Sequence, residues 1–522
     1  MVTWILGSDN SFHLLAVVTL LGAICWFITY LSKRSYRNLP PGPKGLPFIG
    51  DVRHAVDPIW LASPERKNEY GELMYTSTLG QGILVINSQR VAIDLLEKRS
   101  NIYSDRQRFI SAGDYMTENL SFTLTPYDDV WRRFRRASMD SFSKSAVSRF
   151  YPIQNREAIM LTLGFMKSPS ALQKHFERHA LSILLSVNYH HPPTQSEDDP
   201  IVVALANHVR RLLHEMEPGV RLVEFFPWLR YIPSRFTQWK QNARFYYNHD
   251  SLMFEGLVKK VADDLANGID QPSFSASLIK NQSKHNLSER ERAWLAGDML
   301  AAGTETTSTT LHWWLLAILV YPDVQARAHA ELDEIVGYAR PPTFSDLPSL
   351  PYIRAMVKET LRWAVIAPFA VPHVSTTDDW YEGMYIPKGT ICLPNIKVLN
   401  SDPNVFGKDA ERFDPARHLN KKGEEVKAVM MDGREEGHVT FGFGRRLCVG
   451  KHLAEGTLAI DFATMLWAMK FERPEGAVKG ELDVHTLVRS SLTTRPAPFE
   501  YKALPRFPEA VALLKEALEL YQ

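Results

Sequence analysis

Cysteine is scarce. Cys25, Cys392 and Cys448 are the only three in 522 residues. They are too few and too scattered for a disulfide framework, which fits a reducing compartment. A charge excess is also missing: 60 Lys and Arg against 59 Asp and Glu leave a net charge of +1. That balance argues against nucleic acid or a strongly charged partner. No Gly-rich dinucleotide fingerprint is present, which argues against a nicotinamide- or flavin-binding domain in this chain. Core-forming material is plentiful, with 45% hydrophobic residues, 12 Trp and 26 Phe. Length alone suggests two to four domains of about 150 residues each.

One long apolar run stands at 12–31, FHLLAVVTLLGAICWFITYL. It has the length needed to cross a hydrocarbon core of roughly 30 Å. Lys33, Arg34 and Arg37 follow it, and only Asp9 precedes it. The positive-inside tendency then predicts a short luminal N-terminus at 1–11, a transmembrane anchor at 12–31 and everything beyond in the cytosol. A cleaved signal peptide is the alternative, but the run is long for one and its flanks are reversed. Residues 32–47, basic and then proline-rich (LPPGPKGLP), read as a stiff hinge. Residues 48–522 are then expected to form the main body.

Chemistry concentrates in Phe441-Gly442-Phe443-Gly444-Arg445-Arg446-Leu447-Cys448-Val449-Gly450. Glycines let such a turn come close to something large and flat. A helical pattern over 451–469 places Cys448 before a helix N-terminus, which favours the thiolate. Such a thiolate is a metal ligand or a nucleophile; a buried core cysteine is the ordinary alternative. A second unusual stretch lies in a helix opened by the capping box Ser288-Glu289-Arg290-Glu291 and stopped near Pro322. It spans about 32 residues, or roughly 48 Å. Its middle, Ala301-Ala302-Gly303-Thr304-Glu305-Thr306-Thr307, is poor helix material. Ala302 and Gly303 leave room for a ligand, Thr306 offers a hydroxyl and Glu305 an acid. A kinked helix with back-bonded threonines is the plainer reading.

Further along the chain, Leu73–Thr78 and Gly82–Ile86 read as two strands. Residues 105–125 form an irregular loop with aromatics, the usual form of a binding loop. Trp131 and Arg135 lie at i and i+4 on a helix, a ring and a cation on one face. Glu359 and Arg362 share a face of a helix over Pro351–Trp363.

Phe441, Gly444, Arg446, Cys448 and Gly450 fit F-x-x-G-x-R-x-C-x-G at every fixed position. On this loop the chain resembles the cytochrome P450 family, whose haem is held by a cysteine thiolate. The resemblance covers about 39–510 and extends to the (A/G)-G-x-(D/E)-T-(T/S), E-x-x-R and W-x-x-x-R motifs. It implies a mainly α fold with small peripheral β-sheets, a single domain behind the N-terminal transmembrane helix. It implies haem b with Cys448 as axial metal ligand, and Phe441, Gly444, Arg446, Trp131, Arg135 and His373 binding the cofactor. Glu305 and Thr306 become the catalytic acid–alcohol pair. Glu359, Arg362 and Arg417 become a structural network, although Ala416 and His418 depart from the usual P-E-R-F wording. The Trp common in relatives near 395–402 is lacking. Pocket candidates are Phe109, Ile110, Phe122, Ala301, Ala302, Ile366, Phe369 and Leu492, the last in the turn 490–494.

The implied reaction is a monooxygenation of a lipophilic terpenoid, sterol, polyketide or xenobiotic with O2. Electrons would come from NADPH–cytochrome P450 reductase, with cytochrome b5 as a second donor, at the endoplasmic reticulum membrane. The wording around Cys448 resembles fungal members similar to O-methylsterigmatocystin oxidoreductase. A reductase-independent isomerase or dehydratase, and a non-catalytic haem-binding protein, are the alternatives.

Overall fold

The computed structural model describes residues 17–24, 26, 38–46, 49–51, 53, 61–194, 199–217, 219–364, 366–426, 437–474, 487–490 and 493–521. Within them the chain is predominantly helical with small sheets. The principal helices are α1 (Asp129–Phe142), α2 (Tyr151–Lys167), α3 (Leu172–Tyr189), α4 (Pro200–Glu215), α5 (Gln238–Ala266), α6 (Glu289–Val320), α7 (Pro322–Ile335), α8 (Pro351–Trp363) and α9 (Lys451–Ala468).

Everything is arranged around α6. The expected capping box is present: Ser288 accepts from the Glu291 N–H, and the Glu291 carboxylate accepts from the Ser288 N–H. The first half of α6 buries Trp294, Leu295 and Leu300 against α3 and α5, with Phe254 edge-on to Trp294. The second half buries Trp313, Trp314 and Leu316 against α8 and α9, where Trp314 stacks on Phe462 at 4.3 Å. Burial of this kind stabilises by roughly 25 cal/mol per Å² of apolar surface. Between the halves, 301–307 are only half-buried or exposed, with Ala302 and Thr306 the exposed pair.

The largest sheet has five strands: β1 (Leu73–Thr78), β2 (Gln81–Ile86), β3 (Asp105–Arg106), β4 (His373–Val374) and β7 (Ile391–Pro394), in the order β1-β2-β7-β4-β3. Three two-stranded antiparallel sheets complete the set among the described residues: the hairpins β5 (Asp379–Tyr381) with β6 (Met384–Ile386) and β9 (Leu487–Ser490) with β10 (Thr493–Pro496), and the non-adjacent pair β8 (Met469–Glu472) with β11 (Lys502–Pro505).

Two expectations need correction. The segment 105–125 is not wholly irregular, because Asp105–Arg106 pairs in the sheet and Ile110–Met116 forms a wide helical turn. Residues 38–46 do not stand off as a spacer. Pro40 and Pro43 are buried, and the Tyr75 N–H donates to the Pro41 carbonyl at 2.9 Å. A Cβ on Gly42 would lie 1.8 Å from Tyr75 O, so the segment is laid tightly on β1. Of the expected anchor, residues 17–24 and 26 are described, as exposed helix; the rest lies outside the described residues. Among the described residues no helix is long and apolar enough to cross a membrane.

Candidate active site

The cysteine loop is closed by its own backbone. The Cys448 N–H donates to the Phe441 carbonyl at 2.9 Å and the Leu447 N–H to the Gly444 carbonyl at 3.2 Å. Gly444 has φ of +55°, and a Cβ there would lie 2.2 Å from Leu96 O. Its glycine therefore admits the backbone of a neighbouring helix, not a flat ligand. Phe441 is half-buried against the main core and beside the His438 ring. Cys448 keeps an accessible face, yet it is set deep enough that burial pushes its thiol up, against the Gly450 N–H and the Arg135 charge. The helix N-terminus alone thus does not yield the expected thiolate. A coordinating metal would supply the deprotonation.

Around this loop stand three arginines. Arg135 on α1 donates to the Leu447 carbonyl at 2.6 Å. Arg446 donates to the carbonyls of Ser104 and Thr125, both at 2.8 Å, and lies 4.6 Å from the centre of the Trp131 ring. Trp131 thus meets Arg446, not its helical neighbour Arg135. Arg106 donates to the carbonyls of Val371 at 2.6 Å and Pro372 at 3.1 Å, and its Nε is buried without a partner. Burial lowers all three guanidinium pKa values, Arg446 to about 10. Among the described residues none of the three forms an ion pair. Cations drawn this far out of water normally have anionic partners, so this half-buried cluster fits the carboxylates of a propionate-bearing cofactor. Arg106 escaped the sequence reading because only the pairing of β3 with β4, which sets Arg106 opposite His373, brings it there.

His373 is buried, and burial with the nearby Arg106 charge holds its pKa down to about 3. Its Nδ1 lies 2.7 Å from the Tyr103 carbonyl, so the neutral ring carries its proton on Nδ1. Nε2 is then an acceptor and would donate to a carboxylate only after gaining a second proton, which a nearby anion would favour.

On α6, Glu305 and Thr306 do not bond to each other. Thr306 Oγ1 donates to the Ala302 carbonyl at 2.9 Å, as Thr304 and Thr310 do to Leu300 and Thr306. Glu305 accepts from Thr493 Oγ1 at 2.6 Å. Gly303 does not make room for a ligand either: a Cβ there would meet the Leu184 side chain of α3 at 2.8 Å. Ala302 and Thr306 alone form the open edge, with Ala301 half-buried beside them.

Of the remaining candidates, Phe109, Ile110 and Phe122 lie on a loop tied down from two sides. Asp298, buried on α6, accepts from Ser121 Oγ at 2.6 Å and from the N–H and Oγ1 of Thr123 at 3.0 and 2.8 Å. Phe122 sits between these contacts and stacks on Trp131, ring centres 6.2 Å apart. Glu224 accepts from the N–H groups of Ile110 and Ser111, both at 2.8 Å. Phe109 and Ile110 are buried, as is Ile366, while Phe369 is half-buried. Leu492 lies outside the described residues.

The structural network is larger than expected. Glu359 is bound bidentately by Arg362 at 2.7 Å twice, more loosely by Arg417 at 3.5 Å, and by His418 Nε2 at 2.9 Å. His418, which departs from the family wording, is therefore a working member of it. A cavity of about 760 Å³ lined by Leu172, His312, Arg495 and Phe499 is also present, but it holds none of these site residues.

The family model for cytochrome P450 matches residues 40–503. The chain belongs to the cytochrome P450 family. A cytochrome P450 monooxygenase of Armillaria gallica is 47% identical over 97% of each chain. Cytochrome P450 monooxygenase 58 of Postia placenta is 39% identical over 98% of this chain and 97% of its own. A zebra fish cytochrome P450, solved with abiraterone, shares the fold at a TM-score of 0.66 and 22% identity, covering 86% of this chain and 99% of that one. This P450 is a haem-thiolate monooxygenase, using O2, a redox partner and a lipophilic substrate.

Proposed function

We propose that Cys448 is the axial haem ligand, that Arg106, Arg135 and Arg446 bind the haem propionates over Trp131, and that Glu305 and Thr306 handle protons at the reacting face. The observation that carries this reading is the trio of half-buried arginines, without ion-pair partners among the described residues, around a loop whose cysteine is accessible. Haem held by a thiolate supplies the one-electron and O2 chemistry, its electron density favouring O–O cleavage. The chain's own part is to hold that cofactor, exclude bulk water and position protons. The substrate is a lipophilic small molecule of terpenoid, sterol or polyketide type, or a xenobiotic, which the apolar Phe109, Ile110, Ile366 and Phe369 would suit.

The electron donor is NADPH–cytochrome P450 reductase, with cytochrome b5 as a second source. Supporting this, Arg132 and Arg445 both lie over Tyr127 at 4.8 and 5.1 Å, and Arg136 is exposed nearby on α1. This basic patch flanks the cysteine loop. The enzyme is held at the endoplasmic reticulum membrane by the apolar run 12–31, with 48–522 as the cytosolic body. Exposed Leu222, Phe226, Trp228, Tyr231 and Phe236 within 222–236 add a surface suited to lipid.

The test is the reduced, CO-bound absorption spectrum, followed by product analysis with reductase and a panel of terpenoids, sterols and aromatics. Cys448→Ala should lose the thiolate-type Soret band. If it keeps that band, the assignment of the ligand is wrong.

A further inference from the structure

Glu305 and Thr306 are adjacent on α6, so their side chains leave the helix about 100° apart. Thr306 shares its line with Ala302, on the open edge. Glu305 shares its line with Thr309 and Trp313, both buried. That second line faces β10. Thr493 is itself buried, and its Oγ1 donates to Glu305 Oε1 at 2.6 Å. The strand is pinned beside that bond: Trp313 Nε1 donates to the Thr494 carbonyl at 2.9 Å, and the Thr494 N–H donates to the Ile366 carbonyl at 2.8 Å. Thr493 is thus a fixed donor, not a swinging one.

We propose that Thr493 is the positioning residue of Glu305, holding its carboxylate turned from Thr306 between proton deliveries. The inference rests on reading Glu305 as the proton-relaying acid. A hydroxyl donating to a carboxylate makes a charge-assisted bond, short and directional. Glu305 must exchange that bond for a partner on the Thr306 side to pass a proton, and it returns to Thr493 afterwards. Thr306 is parked in the same way on the Ala302 carbonyl. Both halves of the pair are therefore held apart by defined bonds, and only one of those bonds comes from outside the helix.

The test uses the full-length, haem-loaded protein with Thr493→Val, Thr493→Ser and Glu305→Gln. Difference infrared spectra, with the Glu305 band assigned through Glu305→Gln, read the bond directly. Electrons consumed per product formed read its use. Thr493→Val should shift the Glu305 band and lower the recovery of electrons in product at least threefold, diverting them to peroxide, with KM within twofold. Thr493→Ser should behave as the parent in both. An unmoved band in Thr493→Val, or a Thr493→Ser variant that matches Thr493→Val, overturns the proposal while leaving Glu305 its role. A shifted band with full recovery in both Thr493→Val and Glu305→Gln removes Glu305 from the relay, and the proposal falls with it.

Discussion

Glu359 shows how much one side chain carries. It is fully buried, and burial alone would raise its pKa; the bonds from Arg362 and His418 outweigh that and hold it at about 2. Its folded pKa lies below its unfolded value near 4.5, so its stabilising contribution is complete above that value and is lost as pH falls from about 4.5 toward 2. Glu359→Gln should therefore flatten the acid limb of the stability curve and cost roughly 3–5 kcal/mol, because it leaves buried cations behind. Denaturant titrations at several pH values check both. Gly444 makes a second case at this scale. Gly444→Ala forces a side chain into the left-handed region and onto Leu96 O, a strain of order 1–3 kcal/mol before the clash is counted. Lower haem retention per folded protein should follow, read from the Soret-to-protein absorbance ratio.

At the scale of elements, α6 is two packed halves joined by an open turn. Gly297 and Gly303 are close-packing points, where Cβ atoms would meet Phe254 and Leu184. Gly303→Ala should cost about 1–3 kcal/mol by overpacking. Combined with Leu184→Ala, the two changes should be clearly less than additive, since they share one contact. A double-mutant cycle by thermal denaturation decides this. The loop 105–125 is likewise an element held by others. Asp298→Ala leaves the Ser121 and Thr123 donors without their acceptor, at about 1–3 kcal/mol for each buried group. Hydrogen exchange should rise across 119–125 while the core of α9 stays protected. Equal rises in both would mean that Asp298 supports the whole fold and not this loop.

For the molecule as a whole, the near-zero net charge conceals a local basic surface. Arg132, Arg136 and Arg445 on the cysteine side are suited to steer an acidic electron donor. Arg132→Glu with Arg136→Glu should slow first-electron transfer from the proposed reductase roughly tenfold at low salt, with the difference shrinking as salt rises. Stopped-flow reduction across ionic strengths measures it. A defect that persists unchanged at high salt would place the cause in the fold of α1 instead.

The amino-acid order by itself determined whatever is local or carried by a contiguous motif. It placed α8 at Pro351–Trp363 and the capping box at Ser288, and it singled out Cys448 in its loop, because turn chemistry, caps and periodicity act over a few neighbours. Tertiary structure decided what depends on distant chain segments meeting. Arg106 reaches the cysteine loop only through the β3–β4 pairing, and His418 and Asp298 gain their roles from partners 59 and more than 170 residues away. Gly303 is spent on Leu184, and Glu305 is turned toward Thr493, because helix and hairpin packing chooses a side chain's partner. The residue types stay compatible with several partners until those surfaces close.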